Sequence, residues 1–383
     1  MTDNKTMPGK PHIVFVTTGD IEDIATSKRA FGMTEPLTAL GYRVAILLQD
    51  TPTNRSRLAA EAPSAEPHWF SAGPALREMR LKRRLLRQLS PDIVYVGAFG
   101  IRNAVLPLRP SRALYLVEHS ELLSAISNTS LKRRVTNFVL EWLAFKAFDG
   151  QVCASRYLED YVRDRLPQNA AERVHYSPYA YSRSTLLPAG GGSRDGAAGR
   201  KKRILYMGTL ARNYGIFHIM EAVDRMRRSD PGFECVVLGK GRHFDEAVGH
   251  ARALDLGEAI DFRGYVPEEE LPGYFSSTDV FVAPIFDTIQ DKARCPSKMF
   301  MYVPFNRPVV TSAIGEAREL FGADYPFYFE PDNVDEMAAC LTAALETPED
   351  WTPPWSADDH EWTARAIAFD SWIDKMSRMG ASG

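Results

Sequence analysis

The sequence predicts an α/β protein built of two Rossmann-like, doubly wound domains facing each other across a cleft. Three observations predict it. Short apolar runs rich in β-branched residues alternate with helix-like stretches, as parallel strands covered on both faces require. The alternation breaks once, at residues 182–202 (SRSTLLPAGGGSRDGAAGRKK), a Gly-, Ser- and Ala-rich stretch without apolar periodicity that reads as an exposed linker, and then restarts. The length of 383 residues suits two domains at roughly 100–200 residues each.

The elements follow in order. Residues 12–17 (HIVFVT) read as a buried strand, and 27–40 as a helix that Gly41 stops. Strands follow at 42–48, 92–96 and 113–117. Residues 131–148 read as one long helix, 151–154 as a short strand and 156–165 as a helix. Beyond the linker, strands are expected at 203–207, 234–238, 259–262, 280–283 and 308–311, with helices at 216–228 and about 245–254. The division that results is an N-terminal domain 1–185, a linker 186–202, a C-terminal domain 203–354 and a tail 355–383. In such sheets ligands bind at the carboxyl ends of the strands, so a two-lobed chain should hold its ligand between lobes.

Composition narrows the function classes. With 45% hydrophobic and 25% charged residues the chain can bury a core in each domain, which excludes disorder. The net charge of −3 argues against a wholesale nucleic-acid binder. Cys153, Cys235, Cys295 and Cys340 stand far apart, with no zinc or redox spacing, and read as buried thiols of a reducing compartment. The first ten residues lack the apolar core of a signal peptide. The most apolar stretch, 135–148, is too short to span a bilayer and carries Glu141 and Lys146. A cytoplasmic protein is expected. The charge is uneven, however: residues 1–190 hold 25 basic and 18 acidic side chains, a surplus of +7, and the rest of the chain carries −10.

The surplus concentrates in residues 76–89 (LREMRLKRRLLRQL). As a helix this places Arg77, Arg80, Arg83, Arg84 and Arg87 on one arc of roughly 120°. Met79, Leu81, Leu85, Leu86 and Leu89 take the other side, with Lys82 among them, where it would snorkel. A basic amphipathic helix suits an anionic membrane surface, and a solvated helix face is the plainer alternative. Lys132, Arg133 and Arg134 would extend the patch. No aromatic platform interleaves the charges, so nucleic acid is not expected.

The second domain carries the motifs that suit an anion. In residues 206–215 (YMGTLARNYG) Gly208 permits a tight turn, a helix N-terminus follows, and Arg212 could fork onto phosphate oxygens. Pro296 and Ser297 begin a short helix with Lys298 in its first turn, a poor place for a cation unless an anion is near. Gly239 and Gly241 form a turn after a strand, and Tyr265 follows the next strand.

On the segments RILYMGTLARNYGI, ECVVLGKGR, IDFRGYVPEEELPGYFSSTDVFVAPI and PSKMFMYVPFNRPVVTS, the second half resembles the retaining family 4 glycosyltransferases of the GT-B fold. HIVFVTT, LTALGYRVAILL, SPDIVYVG and VEHSEL extend the likeness, more loosely, into the first half. The resemblance implies a nucleotide-diphospho-sugar donor held by the second domain, a glycan or lipid-linked acceptor held by the first, and no bound metal or cofactor. It implies transfer with retention, usually written as same-face displacement, and surface-polysaccharide assembly as a setting. Arg212, Lys298 and helix N–H groups would take the leaving-group charge, with Gly208, Thr209 and Ser297 lining the diphosphate. Gly239 and Tyr265 would lie by the nucleobase, and His119, after Glu118, beside the donor sugar. The tail helix would pack back on the first domain, with Trp355, Trp362 and Trp372 as packing residues.

The chain departs from the family pattern at two glutamates, replaced by Ala293 and Met301. Thr209 and Tyr214 stand where arginine and lysine are common. Asp287 or Asp291 would then recognise the sugar, with Arg212 supplying the missing base. The alternatives are an unusual donor, a non-catalytic nucleotide-sugar-binding partner of another transferase, or a sugar-nucleotide epimerase of the same fold.

Overall fold

The computed structural model describes residues 10–21, 27–97, 99–107, 113–125, 130–187, 200–229, 232–348 and 350–380. Most of the expected linker, residues 188–199, lies outside them. The chain divides into two compact units, one running to Tyr179 and resuming at Trp362, the other spanning Ala180–Glu361.

The first unit opens with β1 (His12–Val16), α1 (Ser27–Ala39), β2 (Arg43–Gln49), α2 (Pro52–Glu61) and β3 (Glu66–Phe70). It continues through α3 (Ala75–Leu89), β4 (Ile93–Val96), β5 (Leu114–His119), α4 (Leu131–Ala147), β6 (Gly150–Cys153), α5 (Arg156–Arg163) and β7 (Val174–Tyr176). The seven strands form one parallel sheet in the order β3-β2-β1-β4-β5-β6-β7. Its central strands are buried on both faces, which is why they read as unbroken apolar runs. Sequence patterning misses β3 and β7. Both are edge strands, and EPHWF and VHY mix polar residues and a proline into positions a central strand would fill with aliphatics.

One face of this sheet packs on α3 and α4. Val14, Val16, Ala45, Leu47, Val94, Val96 and Val117 share a single core with Leu86 of α3 and Ala144 of α4. Ser130 caps the start of α4, its Oγ accepting from the Arg133 amide.

The second unit begins with α6 (Arg183–Leu186), β8 (Lys202–Met207), α7 (Ile216–Arg227), β9 (Phe233–Leu238), α8 (Phe244–Ala253) and β10 (Ile260–Gly264). α9 (Leu271–Ser276), β11 (Val280–Ala283), α10 (Ile289–Ala293), α11 (Ser297–Tyr302), β12 (Val309–Thr311), α12 (Glu316–Phe321) and α13 (Val334–Leu345) follow. Its five strands are parallel, ordered β10-β9-β8-β11-β12. Trp355 belongs here, where its indole N–H donates to Val303 O (3.2 Å).

The last helix, α14 (Trp362–Gly380), belongs to the first unit and packs along α1. Trp372 stacks on His175 at 4.9 Å and donates to Glu172 O, and Phe369 meets Tyr95 edge-on. Trp362 is buried against α1, where a Cβ on Gly32 would collide with its indole.

Candidate functional site

Three loops follow the carboxyl ends of β8, β9 and β10, and backbone hydrogen bonds zip them together. Gly208 N donates to Leu238 O (2.9 Å), Leu210 N to Lys240 O (3.0 Å) and Gly239 N to Gly264 O (2.6 Å). The approach is so close that a Cβ on Gly239, at φ +128°, would stand 2.0 Å from the Gly208 carbonyl oxygen. Gly239→Ala is therefore expected to push the two loops apart and destabilise the second unit by about 3 kcal/mol. Denaturant unfolding of the variant measures this, and an unchanged midpoint would show that the loops yield.

Gly208, at φ +156°, keeps room for a cation: a Cβ there would lie 3.3 Å from Lys298 Nζ. That amine sits 4.5 Å from the centre of the Tyr206 ring and has no hydrogen-bond or ion-pair partner among the described residues. Burial, with the Arg294 guanidinium adding to it, pushes the Lys298 pKa down to about 7, against the pull of Asp291. Tyr206 is itself fixed, its hydroxyl donating to Thr209 O (3.2 Å) and to Tyr214 O (3.3 Å). Arg294 lies 4.7 Å over the Tyr214 ring and pairs with Asp291 Oδ1 at 2.7 Å, while its buried Nε has no acceptor. No side chain caps the N-terminus of α7 behind Gly215. One amine, one guanidinium and a free helix N-terminus thus gather at the β8 turn, with fewer anions than they can bind.

The structure gives other candidates different work. Arg212 is exposed, pairs with Glu246 and lies 4.8 Å over Phe217, so it does not stand in for the missing base in this arrangement. Arg294 lies over the ring of Tyr214 instead. Asp291 Oδ2 accepts from the Phe286 amide (3.0 Å), and burial pushes its carboxyl up against the pull of Arg294. Its oxygens are engaged in holding the loop and Arg294. Asp287 is exposed and pairs with Lys292. Tyr265 is 54% exposed, and Ser297 is the first residue of α11. Ala293 is fully buried and Met301 nearly so, and neither offers a carboxylate. Sequence reasoning missed Glu316, a carboxylate 1% exposed at the start of α12, where a Cβ on Gly315 would lie 3.1 Å from Lys292 O.

In the first unit, His119 ends β5 and is buried. Gln151 Nε2 donates to Ala144 O (3.1 Å), so its Oε1 accepts from His119 Nε2 (2.8 Å) and leaves Nδ1 as the acceptor nitrogen. Phe145 of α4 stacks on the imidazole at 5.7 Å, and burial holds its pKa below the ordinary value, so the ring is neutral at pH 7. Glu118 gives way as a candidate for chemistry. Its carboxylate is buried, pairs with the equally buried Arg29 at 2.9 Å and accepts from the Tyr95 hydroxyl at 3.1 Å. Arg29 also donates to Ser177 Oγ and Ser177 O and lies over Tyr179 and Trp362, tying α1, β5 and α14 together.

The basic helix forms as expected, with Arg77, Arg80, Arg84 and Arg87 exposed. Arg83, at the edge of the arc, donates to Val105 O. Lys82 does not snorkel. It is fully buried, paired with Glu78 at 2.7 Å and bonded to Thr17 O, Thr18 Oγ1 and Asn103 Oδ1, because the polar ends of β1 and β4 lie under α3. Arg80, Arg83, Arg84, Arg87, Met79 and Leu86 line a groove of about 1110 Å³ beside α3. Among the described residues no group of three or more His, Cys, Asp or Glu could hold a metal ion, and no helix is long and apolar enough to cross a membrane.

The glycine-zipped loops and their cations lie in the part of the chain that known proteins share. Residues 194–353 match the family glycosyl transferases group 1. TuaC of Bacillus subtilis (strain 168), provisionally named a teichuronic acid biosynthesis glycosyltransferase, is 24% identical over 157 residues, 41% of this chain and 36% of that protein. Glycogen synthase of Mycobacterium tuberculosis is 26% identical over 150 residues, 38% of this chain and 34% of that one. The 2-deoxystreptamine glucosyltransferase of Streptomyces kanamyceticus is 21% identical over 241 residues, 63% and 58% of the two chains. The chain thus spans about a third of the length of the first two. Solved structures extend the likeness past the group 1 segment. HepE of Anabaena, in complex with UDP and glucose, superposes with a TM-score of 0.67 over 97% of this chain and 99% of that one, at 13% identity. The fold is GT-B, two Rossmann-like domains.

Proposed function

We propose that the protein is a retaining glycosyltransferase that moves a sugar from a nucleotide-diphospho-sugar donor to a glycan or lipid-linked acceptor, in surface-polysaccharide assembly. The observation that carries this reading is the pair Lys298 and Arg294 at the Gly208 turn, two cations with donor groups to spare beside a helix N-terminus that no side chain caps. A diphosphate is the ligand such a set suits. The group 1 match of the same segment, and the UDP and glucose bound by the fold relative HepE, point the same way.

In the reaction, the bond between the sugar C1 and the diphosphate oxygen breaks. Lys298, Arg294 and the α7 amides stabilise the charge that develops on the leaving group. The acceptor hydroxyl forms its bond to C1 on the face the diphosphate leaves, and its proton passes to a leaving-group oxygen. His119, neutral and oriented by Gln151, hydrogen-bonds the donor sugar. An anionic membrane is the surface met by the arginines of α3.

The test is a thermal-shift screen against UDP, GDP, ADP and CMP, followed by nucleotide release from the matching sugar donors. A diphosphate that stabilises the protein, and release that falls about 100-fold in His119→Ala, are expected. Stabilisation without turnover, and co-purification of a second transferase, would favour a non-catalytic nucleotide-sugar binder. The buried, uncharged side chains of Ala293 and Met301 are the observation on that side.

A further inference from the structure

α4 is built inside out. Leu131, Val135, Phe138, Val139 and Trp142 are 76%, 57%, 63%, 53% and 55% exposed. At about 100° per residue these five share one arc of roughly 100° along the outer face. The polar side chains point inward instead: Asn137 Nδ2 donates to Leu123 O (2.8 Å), and Glu141 Oε1 accepts from the Ser124 amide (2.8 Å). An apolar ridge of this size, with two aromatic rings, is not what water-facing helices carry.

We propose that α4 is a lipid-docking helix, lying in the plane of an anionic bilayer with this ridge in the acyl boundary. Charge decides the occupant. The exposed charges of α4 are Lys132, Arg133, Arg134 and Lys146, all basic, while its acid, Glu141, is buried. On the helical wheel Lys132 and Arg134 flank the apolar arc, and Lys146 lies within it one turn beyond Trp142, where its long stem can carry the amine to phosphate headgroups. α3 packs on the same face of the sheet as α4 and presents Arg77, Arg80, Arg84 and Arg87 to the same side of the unit. Phe138 and Trp142 are the side chains that favour the interfacial zone. A second copy of the chain is the competing occupant, since 131, 135, 138 and 142 have the 4-3-4 spacing of a helix pair. In such a symmetric pair the flanking residues of both copies would be basic and would repel. At 17 residues, the helix lies on a bilayer rather than crossing it.

Phe145, on the flank of the same helix, stacks on His119, and the Ala144 carbonyl fixes Gln151. One helix therefore carries both the lipid contact and the ring that stacks on the candidate histidine. A lipid-linked acceptor would then be met at the bilayer surface, a point that rests on the transferase reading, whereas the docking itself does not.

The experiment is sedimentation of the full chain with vesicles of equal parts phosphatidylglycerol and phosphatidylcholine, without nucleotide. The wild type is expected to bind, and Val135→Ser/Phe138→Ser/Trp142→Ser to bind at least about tenfold more weakly with an unchanged melting temperature. The difference in fluorescence between wild type and Trp142→Phe, which is expected to fold normally, reports Trp142 alone and should shift to the blue on vesicles. Equal binding by the triple variant, or no shift of the Trp142 signal, overturns the proposal. So does a wild-type dimer that the triple variant converts to monomer and that ignores vesicles. Because no donor is present, docking can succeed while nucleotide release fails, or the reverse, and the two failures are read apart.

Discussion

Lys298→Met is expected to weaken the response to nucleoside diphosphates while making the protein more stable. The amine is buried beside Arg294 with a pKa of about 7, against an ordinary 10.5. The folded state therefore holds fewer protons at this site than the unfolded chain between those two pH values. The resulting penalty is full below about pH 7 and vanishes as pH rises past 10.5. Methionine keeps the volume and removes the penalty, so the melting temperature at pH 7 should rise. A diphosphate reverses the balance, since an anion against the amine favours its charged form. Binding at pH 8 should then take up a proton, which calorimetry in buffers of different ionisation enthalpy detects. In Lys298→Met the uptake should vanish, affinity should fall about 10- to 100-fold and turnover about 100- to 1,000-fold. Proton uptake that survives the substitution would assign it to another group.

Glu118→Ala is expected to destabilise the first unit by about 3–5 kcal/mol, because it leaves the Arg29 guanidinium unpaired in the core. Unfolding followed by the tryptophans of that unit, Trp362 and Trp372 among them, measures it. The double variant Arg29→Met/Glu118→Leu removes both charges and should recover most of the loss. It also separates structure from chemistry. Glycosyl transfer that returns with stability in the double variant means that Glu118 only holds the fold. Transfer that stays absent from a stable double variant would restore Glu118 to the reaction.

What the sequence makes legible follows from where each signal is stored. Central strands such as β1 and β2 announce themselves because burial on both faces demands continuous apolar residues. Gly208, Gly239 and Lys298 are legible because each is locally odd: a glycine after a strand, or a lysine in the first turn of a helix. Partnerships across the chain are not. Nothing local links Arg29 to Glu118, or Lys82 to Thr17 and Asn103, so a buried hub reads as a surface helix residue or a snorkelling lysine. The same limit hides the direction of α4. Its periodicity gives the apolar arc, but only the neighbours Leu123 and Ser124 turn the polar side inward. Arg212 shows the converse, a residue well placed in the motif that folds away to Glu246.

The return of α14 to the first unit sets the order in which the chain can mature. The N-terminal sheet needs Trp362 against α1, Phe369 on Tyr95 and Trp372 on His175 to close one side of its core. Those residues are made after every strand of both units. The second unit, by contrast, has all its strands behind it by Thr311, and its two ends are clasped, with Tyr181 N donating to His360 O at 3.1 Å. Synthesis therefore completes the later unit first, and the earlier one waits with an uncovered apolar face until α14 has emerged. A stop codon ahead of Trp362 would release a chain with a finished C-terminal body and an aggregation-prone N-terminal one.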